Sequence, residues 1–178
     1  MSDLKPDTIL GHPGEKELRQ RYGSDARLDD FTLRDRIEPF VAGKLAIFVE
    51  AQPFFFIATS NAQGHCDASF RGTERGADGA MLPAVKLVNP RRLIFPDYPG
   101  NGFFNSLGNI LENPHIGLLF INFEFQRRVR INGTAQLIEA DDAARALWPR
   151  ARAVVQVDVE QCYDNCAARI PRMVTVPR

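Results

Sequence analysis

The sequence predicts an α+β chain built around an antiparallel barrel of six to seven strands with peripheral helices. Three observations carry this. About seven short segments are uninterruptedly apolar or alternate apolar with polar. Most are joined by short turns rich in Gly, Pro and Asn, as hairpins require. Helical patterns fall between them irregularly, without the strand–helix alternation of a doubly wound sheet.

In chain order, residues 1–13 read as a loose arm and Gly14 to Tyr22 as a short helix ended by Gly23, so residues 1–30 form an N-terminal arm and helix on a single domain spanning 1–178. Thr32 is placed to cap a helix from Leu33 to about Gln52, which Pro39 starts or kinks and whose apolar stripe includes Phe40, Leu45 and Phe48. Phe54 to Ser60 is aromatic, unbroken and short, as a buried strand would be. A turn at Asn61-Ala-Gln-Gly64 returns the chain as His65 to Arg71. Ala84 to Val88 and Arg92 to Phe95 form a second hairpin. Ile116 to Phe123, Arg128 to Leu137 and Val154 to Glu160 complete the strands. Ala140 to Leu147 and Asp164 to Arg169 are expected as short helices, and the tail from Pro171 as irregular.

Phe95 to Pro114 organises the chain. Pro96, Pro99, Gly100 and Gly102 punctuate a tight turn, and Asn101 is positioned as a helix N-cap. In the helix that follows, Phe103, Phe104, Leu107, Ile110 and Leu111 are expected to face the core, leaving Asn105, Ser106, Asn109 and Glu112 mostly on the other side. A helix start gathers free N–H groups and the positive end of the helix dipole, which suits an anion such as phosphate. An amphipathic helix with no ligand reads the same way.

The composition, 44% hydrophobic and 25% charged over 178 residues, fits one globular domain. Equal numbers of basic and acidic residues, 22 each, offer no charge excess for nucleic acid. No apolar run approaches the length a bilayer requires, and the N-terminus is polar from Ser2 to Pro6, so a cytoplasmic protein is expected. Cys66, Cys162 and Cys166 are few and odd in number, which favours free thiols. His12, His65 and His115 are scattered, and no metal site is expected. The Gly72–Gly79 loop lacks the Gly-Lys-Ser/Thr ending of a P-loop. No nucleophile elbow, Cys/His signature or paired carboxylate motif is present, so catalytic residues stay unassigned and any chemistry is expected of a bound cofactor.

An ordered series of blocks carries a resemblance. Phe55-Phe-Ile-Ala-Thr-Ser, then Ser69-Phe-Arg-Gly, then Phe95-Pro-Asp-Tyr-Pro-Gly-Asn, then Ser106 to Phe120 and Arg130-Ile-Asn-Gly-Thr-Ala resemble the pyridoxamine 5'-phosphate oxidase-like FMN-binding family, specifically its branch of predicted flavin-nucleotide-binding proteins. The match covers roughly residues 45–138. It implies a split β-barrel, a homodimer and FMN at the subunit interface, in a flavin-dependent oxidoreductase of unknown substrate. The same fold also serves non-catalytic flavin-binding or sensing modules, or binds deazaflavin or haem.

Carried over by position, the strand of Ala68, Ser69, Phe70 and Arg71 runs along the flavin, with Gly72 after it also cofactor-binding, and Phe95, Pro96, Asp97 and Tyr98 lie at its ring edge or ribityl chain. Asn105, Ser106 and Asn109 sit where the family holds the phosphate, and Asn101 is counted among the cofactor-binding residues. Family members often carry Arg or Lys near positions 103–106, where this chain has Phe103, Phe104, Asn105 and Ser106. Arg71 is then the candidate cation for the phosphate; Val159-Glu-Gln-Cys-Tyr-Asp-Asn-Cys-Ala also resembles the branch's C-terminal segment, and Arg169 is the candidate to replace the lysine often found there at the place of Ala168.

Overall fold

The computed structural model describes residues 11–24, 27–174 and 176; most of the expected N-terminal arm lies outside them. Seven strands form one antiparallel sheet: β1 (Phe54–Ser60), β2 (Cys66–Gly72), β3 (Lys86–Asn89), β4 (Arg92–Asp97), β5 (His115–Asn122), β6 (Arg127–Glu139) and β7 (Ala153–Asn165). Their order is β2-β1-β5-β6-β7-β4-β3, so β2 and β3 are unpaired edges and the barrel is split between them. This is the α+β split barrel that the sequence predicts. Among the described residues five helices decorate it: α1 (Pro13–Arg21), α2 (Asp30–Arg36), α3 (Gly43–Glu50), α4 (Asn105–Glu112) and α5 (Asp142–Leu147).

One face of the sheet makes the core. Phe55, Ile57, Ile116, Leu118, Phe120, Val129, Ile131, Val155 and Val157 all point into it. Phe55 stacks on Phe120 at 4.9 Å and meets Phe95 edge-on at 5.2 Å, arrangements that aromatic quadrupoles favour. The unbroken apolar look of β1 does not make it a strand buried on both faces. Its burial alternates, with Phe54, Phe56 and Ala58 turned away from the core, because an antiparallel sheet keeps one face free. Phe54 instead stacks on Phe70 of β2, 5.4 Å away.

The expected helix over 33–52 is two helices. Asp29, not Thr32, caps the first, its carboxylate accepting from the Thr32 N–H at 2.8 Å. Pro39 lacks an N–H and lies in a bend, and just before it Glu38 bridges to Cys162 of β7 through two backbone hydrogen bonds. The expected helix at 164–169 is absent: β7 runs on to Asn165 because β6 pairs with it from Arg128↔Asn165 to Glu139↔Ala153, with a bulge at Asn132/Gly133. A side chain at Gly133 would collide with the Asp158 carbonyl, so only glycine allows that close approach.

A second apolar cluster lies beside the barrel, where Trp148 packs with Ala140, Ala144, Ala151 and Val154. The Trp148 indole N–H donates to the Pro83 carbonyl at 2.6 Å. This cluster holds the chain that leads from α5 into β7, and so fixes where Arg152 emerges.

Candidate functional site

The site begins with β2, whose alternation sends Asp67, Ser69 and Arg71 to the core side of the sheet, opposite Thr59, Ile57 and Phe55. Because β2 is an edge, those three polar side chains meet the open split rather than packed hydrophobes. Across from them, β4 ends at Asp97 and the chain turns through Tyr98 to Phe104 before α4 begins. Asn101 does not cap the helix. Its side-chain oxygen accepts the Phe103 N–H at 3.1 Å, a local Asx turn inside the loop.

Phe104 occupies the N-cap position in the left-handed conformation, φ 56° and ψ 22°, and offers no side-chain acceptor to the first turn. Phe103 and Phe104 therefore do not enter the core; they are 74% and 50% exposed, and Leu111 is 75% exposed. Only Leu107 and Ile110 of the expected stripe are buried.

The polar side of α4 is stitched to the barrel rather than left to solvent. The Ser106 hydroxyl donates to Asp67 Oδ2 at 2.6 Å, and Asn109 Nδ2 donates to the Thr59 hydroxyl at 3.1 Å. Asn113 Nδ2 donates to the Ser60 hydroxyl at 2.9 Å, and Glu112 accepts the Ala62 N–H at 3.2 Å. These bonds fix the height and rotation of the helix start over β1 and β2.

Asp97 is the electrostatic centre. Its side chain is only 5% exposed and receives two guanidinium groups. Arg71 Nη1 lies 3.3 Å from Oδ1, and Arg152 Nε donates to Oδ2 at 2.8 Å. A carboxylate so far from water needs such partners, since an unpaired buried charge is very costly. Arg71 is not fully used by this bond: its Nε is buried without a hydrogen-bond partner. The Arg152 guanidinium also lies over the Phe104 ring, 4.5 Å from its centroid. Tyr98, next in the chain, packs against the Trp148 cluster; burial, and then the negative charge of Glu74, raises its hydroxyl pKa above the ordinary value.

Between β2, the 98–104 loop, the α4 start and Arg152 lies a cavity of about 200 Å³. It gathers Ser69, Arg71, Asp97, Tyr98, Asn101, Asn105 and Ser106 from the residues singled out in the sequence. Six others stay outside its wall. Phe95 is wholly buried in the core, with Pro96 buried beside it in β4, and Gly72 ends β2. Phe70 points to the opposite face of β2, and Asn109 is committed to Thr59. Arg169 is exposed and follows the last strand. Asp67 and Arg152 join the cavity without having been singled out. Asp67 was legible, two residues before Ser69 on one strand face; Arg152 carries no local signal and arrives only through pairing of β7 with β4.

A family model described as Pyridoxamine 5'-phosphate oxidase matches residues 41–166, which includes all seven strands and α4. The chain belongs to the pyridoxamine 5'-phosphate oxidase family. Solved structures agree on the fold. This family member superposes on an FMN-binding protein of Syntrophomonas wolfei with a TM-score of 0.53 at 6% identity, covering 86% of this chain and 97% of that one. It superposes on HupZ of Group A Streptococcus with a TM-score of 0.53 at 18% identity, covering 70% and 93%. At such identities the likeness is one of architecture. No curated protein matches the chain by sequence. Among the described residues, no helix is long and apolar enough to cross a membrane, and no group of three or more His, Cys, Asp and Glu side chains is arranged to hold a metal ion.

Proposed function

We propose that this member of the pyridoxamine 5'-phosphate oxidase family is a cytoplasmic FMN-binding flavoprotein, a homodimeric oxidoreductase with the cofactor at the subunit interface. One observation carries the reading. The split of the barrel holds a cavity whose wall joins the Arg71 guanidinium, with a buried unpartnered Nε, to the uncapped first turn of α4. Unmet N–H donors beside a cation are what a phosphate monoester takes up.

The donor set fits FMN at its phosphate end: Arg71, Ser69, Asn105 and the α4 backbone would hold the phosphate, with Tyr98 and Asp97 toward the ribityl chain. At about 200 Å³ the cavity is smaller than the ~300–1,000 Å³ usual for cofactor sites, so the isoalloxazine ring needs a second wall. The free face of the sheet supports a partner subunit. Ala68, Ala58 and Gly117 lie in register across β2, β1 and β5, beside a row of Phe70, Phe56 and Leu119. A trough of small residues beside an apolar ridge is suited to close packing by a second copy. When bound, FMN would supply hydride or single-electron transfer; the chain's own part is to bind, orient and shield it.

The absorption spectrum of the purified protein tests this directly. A flavin spectrum, or quenching of added FMN fluorescence with saturation at one FMN per chain, is expected. A colourless protein that leaves FMN fluorescence untouched refutes the reading, and a Soret band identifies haem instead. Reduction by NADH or NADPH and reoxidation by added acceptors would separate an enzyme from a carrier.

A further inference from the structure

We propose that Arg152 is a specificity-determining residue of this cavity: with Asp97 as its positioning residue, it selects phosphorylated over unphosphorylated ligands. The inference rests on the cavity being the phosphate end of the cofactor site.

Three features argue for it. The first is convergence. Arg71 and Arg152 come from β2 and from the entrance of β7, yet share the two oxygens of one buried carboxylate. Two cations held side by side by a single acid are preorganised for a second anion, because each guanidinium has more N–H donors than one carboxylate can use. Asp67, the cavity's other acid, accepts from the Ser106 hydroxyl in the first turn of α4, so Arg71 and Arg152 together balance Asp67 and Asp97, and without Arg152 the wall would carry a net negative charge that repels phosphate.

The second is placement. The Arg152 backbone N–H donates to the Asp97 carbonyl at 3.1 Å, and the next residue, Ala153, pairs with Asp97. Backbone and side chain thus register Arg152 on the same residue. The third is Phe104. A non-glycine residue at positive φ is strained, and this ring is half exposed, so burial does not hold it there. The Arg152 guanidinium lies over the ring, 4.5 Å from its centroid. A cation–π contact of this kind holds the planar fork of Arg152 beside the start of α4.

Arg152→Gln, Arg152→Lys and Phe104→Gly, the last keeping the left-handed backbone without the ring, are compared with the wild type. Affinities for FMN and riboflavin are read by fluorescence quenching, and thermal stabilisation by inorganic phosphate is read against chloride at matched ionic strength. Arg152→Gln should weaken FMN about tenfold or more, as loss of one charge-assisted contact would, while riboflavin changes less than about twofold. It should also lose the phosphate-induced rise in Tm, with Arg152→Lys intermediate.

FMN bound equally well by Arg152→Gln, or FMN and riboflavin lost in parallel, overturns the proposal. Should Arg152→Gln fail to fold, Phe104→Gly decides: a lowered preference for FMN over riboflavin supports the proposal and an unchanged one overturns it. If no variant and no wild type binds flavin, but phosphate stabilises the wild type and not Arg152→Gln, the flavin reading fails and the role of Arg152 stands. No response of the wild type to either ligand overturns both.

Discussion

At the scale of residues, Arg71 shows how a side chain can be structural and available together. It shares Asp97 with Arg152, yet keeps a buried N–H unmet. Arg71→Ala should weaken FMN binding about tenfold or more, the worth of one charge-assisted bond, checked by fluorescence titration. The cysteines separate by environment in the same way. Burial above all, and then Asp164 and Glu38, pushes the Cys162 thiol up to about 12, while Cys66 and Cys166 are exposed. A thiolate is the reactive form, so a maleimide or disulfide reagent near neutral pH should modify two thiols in the native protein and three in denaturant. With its folded pKa raised from 9.0, Cys162 favours the folded state below that value and costs stability as the pH climbs from there toward about 12.

At the scale of elements, α3 is tied to the edge strand β3 by one carboxylate. Glu50 Oε1 accepts the Leu87 N–H at 2.9 Å and lies 2.9 Å from the Lys86 ammonium. Burial pushes the Glu50 pKa up, but the Leu87 N–H and Lys86 together outweigh it, so the pKa falls below the ordinary 4.5. Stability from this ionised group is therefore present above pH 4.5 and lost as the pH falls through the lowered value. Glu50→Gln should cost about 0.5–1 kcal/mol at neutral pH, a partly exposed pair being screened. Chemical denaturation should show that difference shrinking as the pH is lowered toward ~3. The helix α4 teaches a different lesson. Its periodicity predicted a helix in the right place, but the predicted rotation assigned Phe103 and Phe104 to the core and Ser106 to the outside. Four side-chain bonds to β1, β2 and the turn between them decided the rotation, and each joins residues distant in sequence.

At the scale of the molecule, the barrel carries two faces with different tasks. The core face is filled, while the other carries the in-register trough of Ala68, Ala58 and Gly117. Because β2 sends Ser69 and Arg71 to the cavity and Ala68 and Phe70 to this free face, one strand would join cofactor binding to assembly. Ala58→Arg should convert the proposed dimer to monomer by sedimentation, with a far-UV circular dichroism spectrum like that of the wild type. A wild type that sediments as a monomer would remove the dimer, and with it the second wall required for the ring.

What the amino-acid sequence determined by itself is the class of fold, the positions of its strands and the family, because alternation, turn chemistry and ordered blocks are local properties of the chain. It also marked β2 and the 95–106 stretch, whose polar side chains gather at the cavity. The tertiary structure alone decided that Pro39 divides a helix, that β7 continues where a helix was expected, and that Asp97 binds two arginines at once. Each of these depends on pairing between distant segments: Glu38 with Cys162, β6 with β7, and β7 with β4. Arg152 belongs to the cavity for that reason. Nothing beside it in the chain marks it, and only the register of β7 on β4 carries its charge to Asp97.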